Sequence, residues 1–474
     1  MVCAGVLPAH ADLSIAKAPT SNVRCTGASC VATAPTAVLN VADLRHLLAK
    51  YPHVSVDAAV AKNMTVDATL SWTTTVSLAL TASGSLIVNK PVTVAGSGGV
   101  SIQSSQFFFA GKASLSFWDV GSGLTINHEA YTLVPDIKTL AADIRGRSDR
   151  YALAHDYDAA ADGTYIGSPI YGFSGMFDGL GHSISNFSMN GSGDSTGFIS
   201  RNWGVLQNLS LDRAHMEGTV RFSGLLAGEN HGIINRVRVT GEMLSNGGDQ
   251  VGGLVGLNEC VESCAATHAP PSGVISNSHA NVRIVGSVGN MGGAGGLVGQ
   301  NAGLIRSSYA EGGMEVGGAQ FLAAGLVGQN DYRIENSYSL VRIHVNNPRV
   351  YYGGLIALQL YQGGGQPYAL NSYAAGKVEG ARKSAGVPGG VVGFQYGYDP
   401  TKASSNYTNV YWDTDTGVHN VHKGVGNLLS QPGLTGLSDA ALKSGLPAGF
   451  DPAIWGQSPD INDGYPYLRS NPPR

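Results

Sequence analysis

Five groups of residues in this chain combine side-chain type and spacing in ways that could carry chemistry. His128-Glu129 could open a zinc-protease helix, whose second His must lie three residues after the Glu so that both imidazoles face the metal. Position 132 is Thr132, so that reading is rejected. Asp413-Thr414-Asp415-Thr416-Gly417 starts like a calcium loop, but the remaining oxygen ligands and the closing Glu are absent, which leaves a turn. Glu229 and Glu259 fall at similar points of successive repeats. If the repeats stack about 4.8 Å apart, the pair meets the roughly 5 Å carboxyl separation of a retaining glycosidase. Ala302 and Asp331 hold the next equivalents, so solvated turn acids are the competing reading. Tyr309, Tyr338 and Tyr373 recur as either an aromatic strip for sugar rings or a packed stack. Val237 and His279 at the same position favour packing. The last group is the segment Glu259 to Ser272, where Glu262, Thr267 and His268 form a candidate binding loop.

Cysteine usage points to export. If Ala9-His10-Ala11 is a signal-peptidase site, removal of Cys3 leaves two close pairs, Cys25 with Cys30 and Cys260 with Cys264, as candidate disulfides. Zinc is the competitor, but only His268 lies near either pair. No metal or cofactor is expected.

These residues are set out by a recurring stretch. Gly253-Leu254-Val255-Gly256-Leu257-Asn258 returns at Gly296 to Asn301 and Gly325 to Asn330, with looser copies beginning at Gly197, Gly224, Gly354 and Gly390. The intervals are 27, 29, 43, 29, 29 and 36 residues. A period near 29 signals a repeat architecture. The 43-residue interval contains the Glu259 to Ser272 insertion, and insertions in such coils project from one face. A second column follows each motif at Asn208, Asn235, Asn277, Asn336 and Asn371, interrupted by Ser307, and is expected to stack as an amide ladder.

Within each repeat the runs are short, Gly-bounded and β-type, without helical periodicity. The expected fold is all-β: a parallel β-helix or β-solenoid of about 29-residue coils with short capping helices. Gly224, Gly253, Gly296 and Gly325 supply the corners that a Cβ would obstruct. The expected organisation is the tail of an export signal at 1–11, and a linker with a short helix at 12–52. A short-coil β-helix segment follows at 53–130, then a helix and lead-in coil at 131–195, the repeat solenoid at 196–410 and a C-terminal cap at 411–474. The helices are placed at 39–51, 136–147 and 437–443 from their apolar spacing.

The Gly-Leu-Val-Gly-Gln-Asn runs, led in by Phe173 to Asn186, resemble the GLUG motif, and the array is similar to that of filamentous haemagglutinin family surface proteins. That resemblance implies a secreted or outer-surface bacterial adhesin, non-catalytic, with a host-cell or glycan surface as partner and a dedicated outer-membrane exporter. The exporter-recognition domain that opens a full-length member has no counterpart in this sequence. The alternative is a polysaccharide lyase or hydrolase with a groove along the coils.

Composition narrows the classes. There are 66 Gly, about twice the usual share, and only 13% charged residues, while 43% are hydrophobic. Apolar content on that scale can fill a core, so the glycines speak for turns and not for disorder. A net charge of −4 gives no footprint for nucleic acid. No apolar run reaches the roughly 18 residues that span a bilayer as a helix.

Overall fold

The computed structural model describes residues 12–144, 149–260, 272–317, 321–345, 350–360, 368–379, 388–397, 406–415, 423–429 and 431–473. The chain is an all-β parallel solenoid divided into two units. The first comprises residues 1–157 and 176–183, and the second 158–175 and 184–474. These limits cut across the expected lead-in segment 131–195.

In the first unit the alternation of apolar and polar residues produces three stacked faces. One carries Ser29–Ala32, His53–Asp57, Ser77–Thr81, Gly99–Gln103 and Leu124–Ile126 in sequence. Val54, Leu78, Val100 and Leu124 occupy one register column, Val56, Leu80, Ile102 and Ile126 the next, and all are buried. Each such side chain contributes about 1.5–3 kcal/mol by leaving water.

The expected linker at 12–37 is instead part of this unit. Asp12–Ala16 lies between Ala37–Asn40 and Asn63–Val66, paired in parallel with both. Leu13 and Ile15 are fully buried there, because their period-two alternation survives inside an Ala/Ser/Thr-rich composition. Val23–Thr26 and Ser29–Ala32 form a hairpin in which Cys25 faces Cys30.

Three α-helices occur among the described residues. Helix α1 (Val41–Lys50) begins at Asn40, whose side chain accepts from the Ala42 amide. Helix α2 (Ile137–Asp143) begins at Asp136, which accepts from Thr139, and buries Ile137 and Leu140. Helix α3 (Asp439–Lys443) begins at Ser438, which accepts from Ala441. Such caps satisfy amides that the first helical turn leaves unpaired.

The second unit contains the long coils. One face is an eight-stranded parallel sheet running from Ile170–Phe173 through Ile199–Asn202, Ala227–Asn230, Val255–Glu259, Val298–Ala302, Val327–Asn330 and Ile356–Gln359 to Val392–Gln395. On another face Leu206, Ile234, Ile275, Ile305 and Ile334 form a buried column. Gly296 shows why the motif needs glycine: an added Cβ would lie 2.3 Å from the Gly325 carbonyl oxygen and 2.6 Å from Val341 Cγ2.

The amide ladder forms one column away from its expected place. The motif asparagines Asn202, Asn230, Asn258, Asn301 and Asn330 are fully buried, and each Nδ2 donates to the Oδ1 of the next. Gln359 accepts at the end of that run. Spare valences go to backbone, as in Asn230 Nδ2 to the Gly232 carbonyl and the Gly204 amide to Asn202 Oδ1. Buried polar groups fully paired in this way cost little. In the expected column, Asn208, Asn277, Asn336 and Asn371 adopt left-handed backbone, a corner that Asn tolerates, but Arg236 takes that corner in place of Asn235. Asn277 still donates to Asn235 Oδ1, and Asn409 to Asn371 Oδ1.

The C-terminal segment, expected as a cap, lies on the last rung and also covers a flank. Leu434–Leu437 pairs with the strand Tyr407–Asp413. The chain then turns back along the flank of the coils until Asn471 contacts Ser278 and His279. Its Phe450, Trp455, Tyr465 and Leu468 cover a column of tyrosines that would otherwise be exposed.

Candidate functional site

The tyrosine strip is inside that cover. His279, Tyr309, Tyr338 and Tyr373 stack nearly parallel at 4.5, 4.6 and 5.0 Å between ring centroids. The three tyrosines are at most 1% exposed. Burial lifts the Tyr338 and Tyr373 hydroxyls well above their ordinary pKa, and Tyr373 donates to the Pro466 carbonyl. This column is core and offers no face to a sugar.

Other sequence candidates also have structural positions. His128 sits with Asn127 in the left-handed turn between Leu124–Ile126 and Glu129–Val134, not on a helix. Asp413 is fully buried; it accepts from its own turn at Asp415 N and from the Tyr465 hydroxyl. Cys25 and Cys30 are joined by a disulfide, and Cys260 is also disulfide-bonded. Cys264, Glu262, Thr267 and His268 lie outside the described residues. Among the described residues no group of three His, Cys, Asp or Glu is placed to hold a metal ion. No described helix is long and apolar enough to cross a membrane.

What remains is the outer surface of the eight-stranded sheet. The residue before each motif Asn points outward, which puts Gly172, Arg201, Glu229, Leu257, Gln300 and Gln329 in one register row. The residue after each motif Asn makes a second row at the corner: Trp203, His231, Glu259, Ala302 and Asp331. Glu229 and Glu259 therefore belong to different rows, and His231 stands between them. Its Nε2 is 3.1 Å from Glu229 Oε2 and its Nδ1 is 3.8 Å from Glu259 Oε2.

Glu229 is held from two sides. Arg201 Nε donates to its Oε1 at 3.0 Å while His231 meets the other oxygen. Burial pushes this carboxyl up, but the hydrogen bonds from His231 and Arg201 outweigh it and hold the pKa below the ordinary Glu range. Glu259 is about half exposed. Two rungs further on, burial raises Asp331 despite hydrogen bonds from Gln300 and Gln329, and the Glu259 charge adds to the rise.

Aromatic rings flank these charges. Trp203 is 48% exposed and stacks on His231 at 5.6 Å and 13° between planes. Tyr171 is 74% exposed, accepts a hydrogen bond from Arg201 Nη1 at 3.1 Å, and lies beneath that guanidinium. The two glutamates stand out in the sequence by residue type and spacing, whereas Arg201, His231, Trp203 and Tyr171 do not. The available signal was the position after each motif Asn, where Trp203 and His231 align with Glu259.

No family model matches the chain. The chain is 34% identical over 154 residues to halomucin of Haloquadratum walsbyi, a match covering 28% of this chain and 2% of that protein. The chain thus spans a small fraction of that relative's length. A crystal structure from Bacteroides ovatus, named as a candidate immunoglobulin A1 protease, superposes with a TM-score of 0.46 and 20% identity. That alignment covers 72% of this chain and 92% of the other.

Proposed function

We propose that this chain is an exported, surface-displayed β-solenoid of the GLUG-repeat, haemagglutinin-like kind, which binds a glycan-bearing surface and does not transform it. The observation that carries the reading is the Tyr171–Trp203–His231 patch: exposed rings anchored by Arg201 and Glu229 on a rigid parallel sheet. Aromatic faces with polar groups at their edges suit sugar rings, which are apolar on one side and hydroxylated around the rim. The Cys25–Cys30 disulfide supports an oxidising, extracytoplasmic destination.

A second reading, polysaccharide cleavage, draws on the Glu229–His231–Glu259 row. Against it, both Glu229 oxygens are engaged by Arg201 and His231, which leaves neither free to attack or to protonate a glycosidic bond. Retention of the purified chain on immobilised polysaccharides tests the proposal. Wild type is retained on at least one of them, and Trp203→Ala lowers that retention at least tenfold with its melting temperature unchanged. Equal retention of the two proteins, or none by wild type, contradicts it.

A further inference from the structure

We propose a second binding site in the first unit, a polar cleft that takes a short neutral oligosaccharide. It is independent of the Trp203 patch. Asp57, Thr81 and Gln103 are register partners in three successive rungs, placed just after the buried pairs that end in Val56, Leu80 and Ile102. The chain bends immediately after each of them, and the bends border an open cleft of about 510 Å³ whose rim carries Ser83, Ser105 and Asn127. That volume lies within the range of small-molecule sites.

The lining has unused hydrogen-bonding capacity. Asp57 spends Oδ1 on the Ala59 amide at 2.7 Å, and Asn127 spends Oδ1 on the Ser104 amide at 2.9 Å. Asp57 Oδ2 and Asn127 Nδ2 remain for a guest, together with the Thr81 hydroxyl and the Gln103 amide. Ala59 in the same lining has φ +43°, a region that residues with a Cβ seldom enter and that clusters at binding clamps.

The donor set selects the guest. The lining contains no cationic residue to draw an anion, and one carboxylate is too few for a dedicated cation cage. Hydroxyls, amides and a single acid, which together offer both donors and acceptors, match vicinal hydroxyl groups. The rungs repeat every 4.8 Å or so, comparable with the advance per residue of a 1,4-linked glycan. Asp57, Thr81 and Gln103 can therefore each meet successive points of one short chain.

The test is saturation-transfer NMR on the full chain with cellobiose, maltose and N,N′-diacetylchitobiose as probes. Transfer to at least one disaccharide is expected. In a Trp203→Ala background, where the sheet patch no longer contributes, it should weaken at least tenfold in Gln103→Leu, which removes the amide at similar volume, and in Ser83→Trp, which fills the cleft from its exposed rim. It should persist in Trp203→Ala, which separates this site from the sheet patch. The corresponding polymer, added as competitor, distinguishes a chain end, which displaces the disaccharide, from a free-saccharide site, which it leaves occupied. Absence of transfer from all three probes overturns the proposal, as does transfer undiminished in both cleft variants.

Discussion

In the short coils the inward columns are aliphatic, as in Val54, Leu78, Val100 and Leu124, whereas in the long coils one inward column is made of asparagines from Asn202 to Asn330. Aliphatic contacts are non-directional and tolerate small shifts between rungs. Amides are not so forgiving, because a slip of one residue would turn each out of the core and strand its neighbours' donors and acceptors. The long coils also interrupt their period with an insertion of about 14 residues between Asn258 and Asn301, and the ladder passes across it without a break. The polar column thus acts as a register lock where coil length varies.

The largest expected effect follows from a motif glycine with no room for a side chain. Gly296→Ala forces a Cβ against the Gly325 carbonyl and should destabilise the long-coil unit by more than about 4 kcal/mol, seen as a lost or strongly lowered urea midpoint. An unchanged midpoint would show that the rungs there can move apart.

Trp455→Ala comes next. It removes a fully buried indole from the cover over the tyrosine column and should cost about 3–5 kcal/mol, with the segment after Leu437 becoming sensitive to limited proteolysis. Asn301→Leu removes one ladder bond from each of Asn258 and Asn330 and should cost about 2–4 kcal/mol. The matched change in a short coil, Leu78→Ile, should cost less than about 1.5 kcal/mol. Equal costs for these two substitutions would remove the distinction between locked and permissive columns. Cys25→Ser opens a bridge between residues five apart and should cost about 2 kcal/mol, measured against wild type under oxidising conditions.

The smallest effect is a pH dependence in the short-coil unit. Asp156 is drawn down to about 2, first by its hydrogen bond with the buried His182 and further by Ser183. An unfolded Asp titrates near 3.9, so the contribution is present above about pH 4 and is lost as pH falls towards 2. Asp156 is 73% exposed, which limits the amount to below about 1 kcal/mol. The melting temperatures of wild type and Asp156→Asn should therefore differ at pH 6 and converge towards pH 2.

The winding of the chain was legible because glycine corners and apolar alternation are local signals. The three helices were legible for the same reason, each starting at a side chain that caps its first turn. Which asparagine column would form the ladder was not. Both columns repeat with the same period, and only the inward direction of Asn258 and the outward corner at Asn277 tell them apart. The strand at Asp12–Ala16 was hidden because Leu13 and Ile15 are two apolar residues in a polar stretch, and their burial depends on strands whose paired residues lie 24 and 51 positions away. At the outer patch, Glu229 and Glu259 could be found by residue type, while His231 between them and Trp203 beside them depend on how corners stack.

The proposed function requires that the long-coil face bind glycan without cutting it. Its most direct test is a reducing-end and unsaturated-product assay on each polysaccharide that retains the protein. No new ends above the no-protein control are expected over prolonged incubation. Release of products by wild type, abolished in Glu229→Gln or Glu259→Gln, would contradict it.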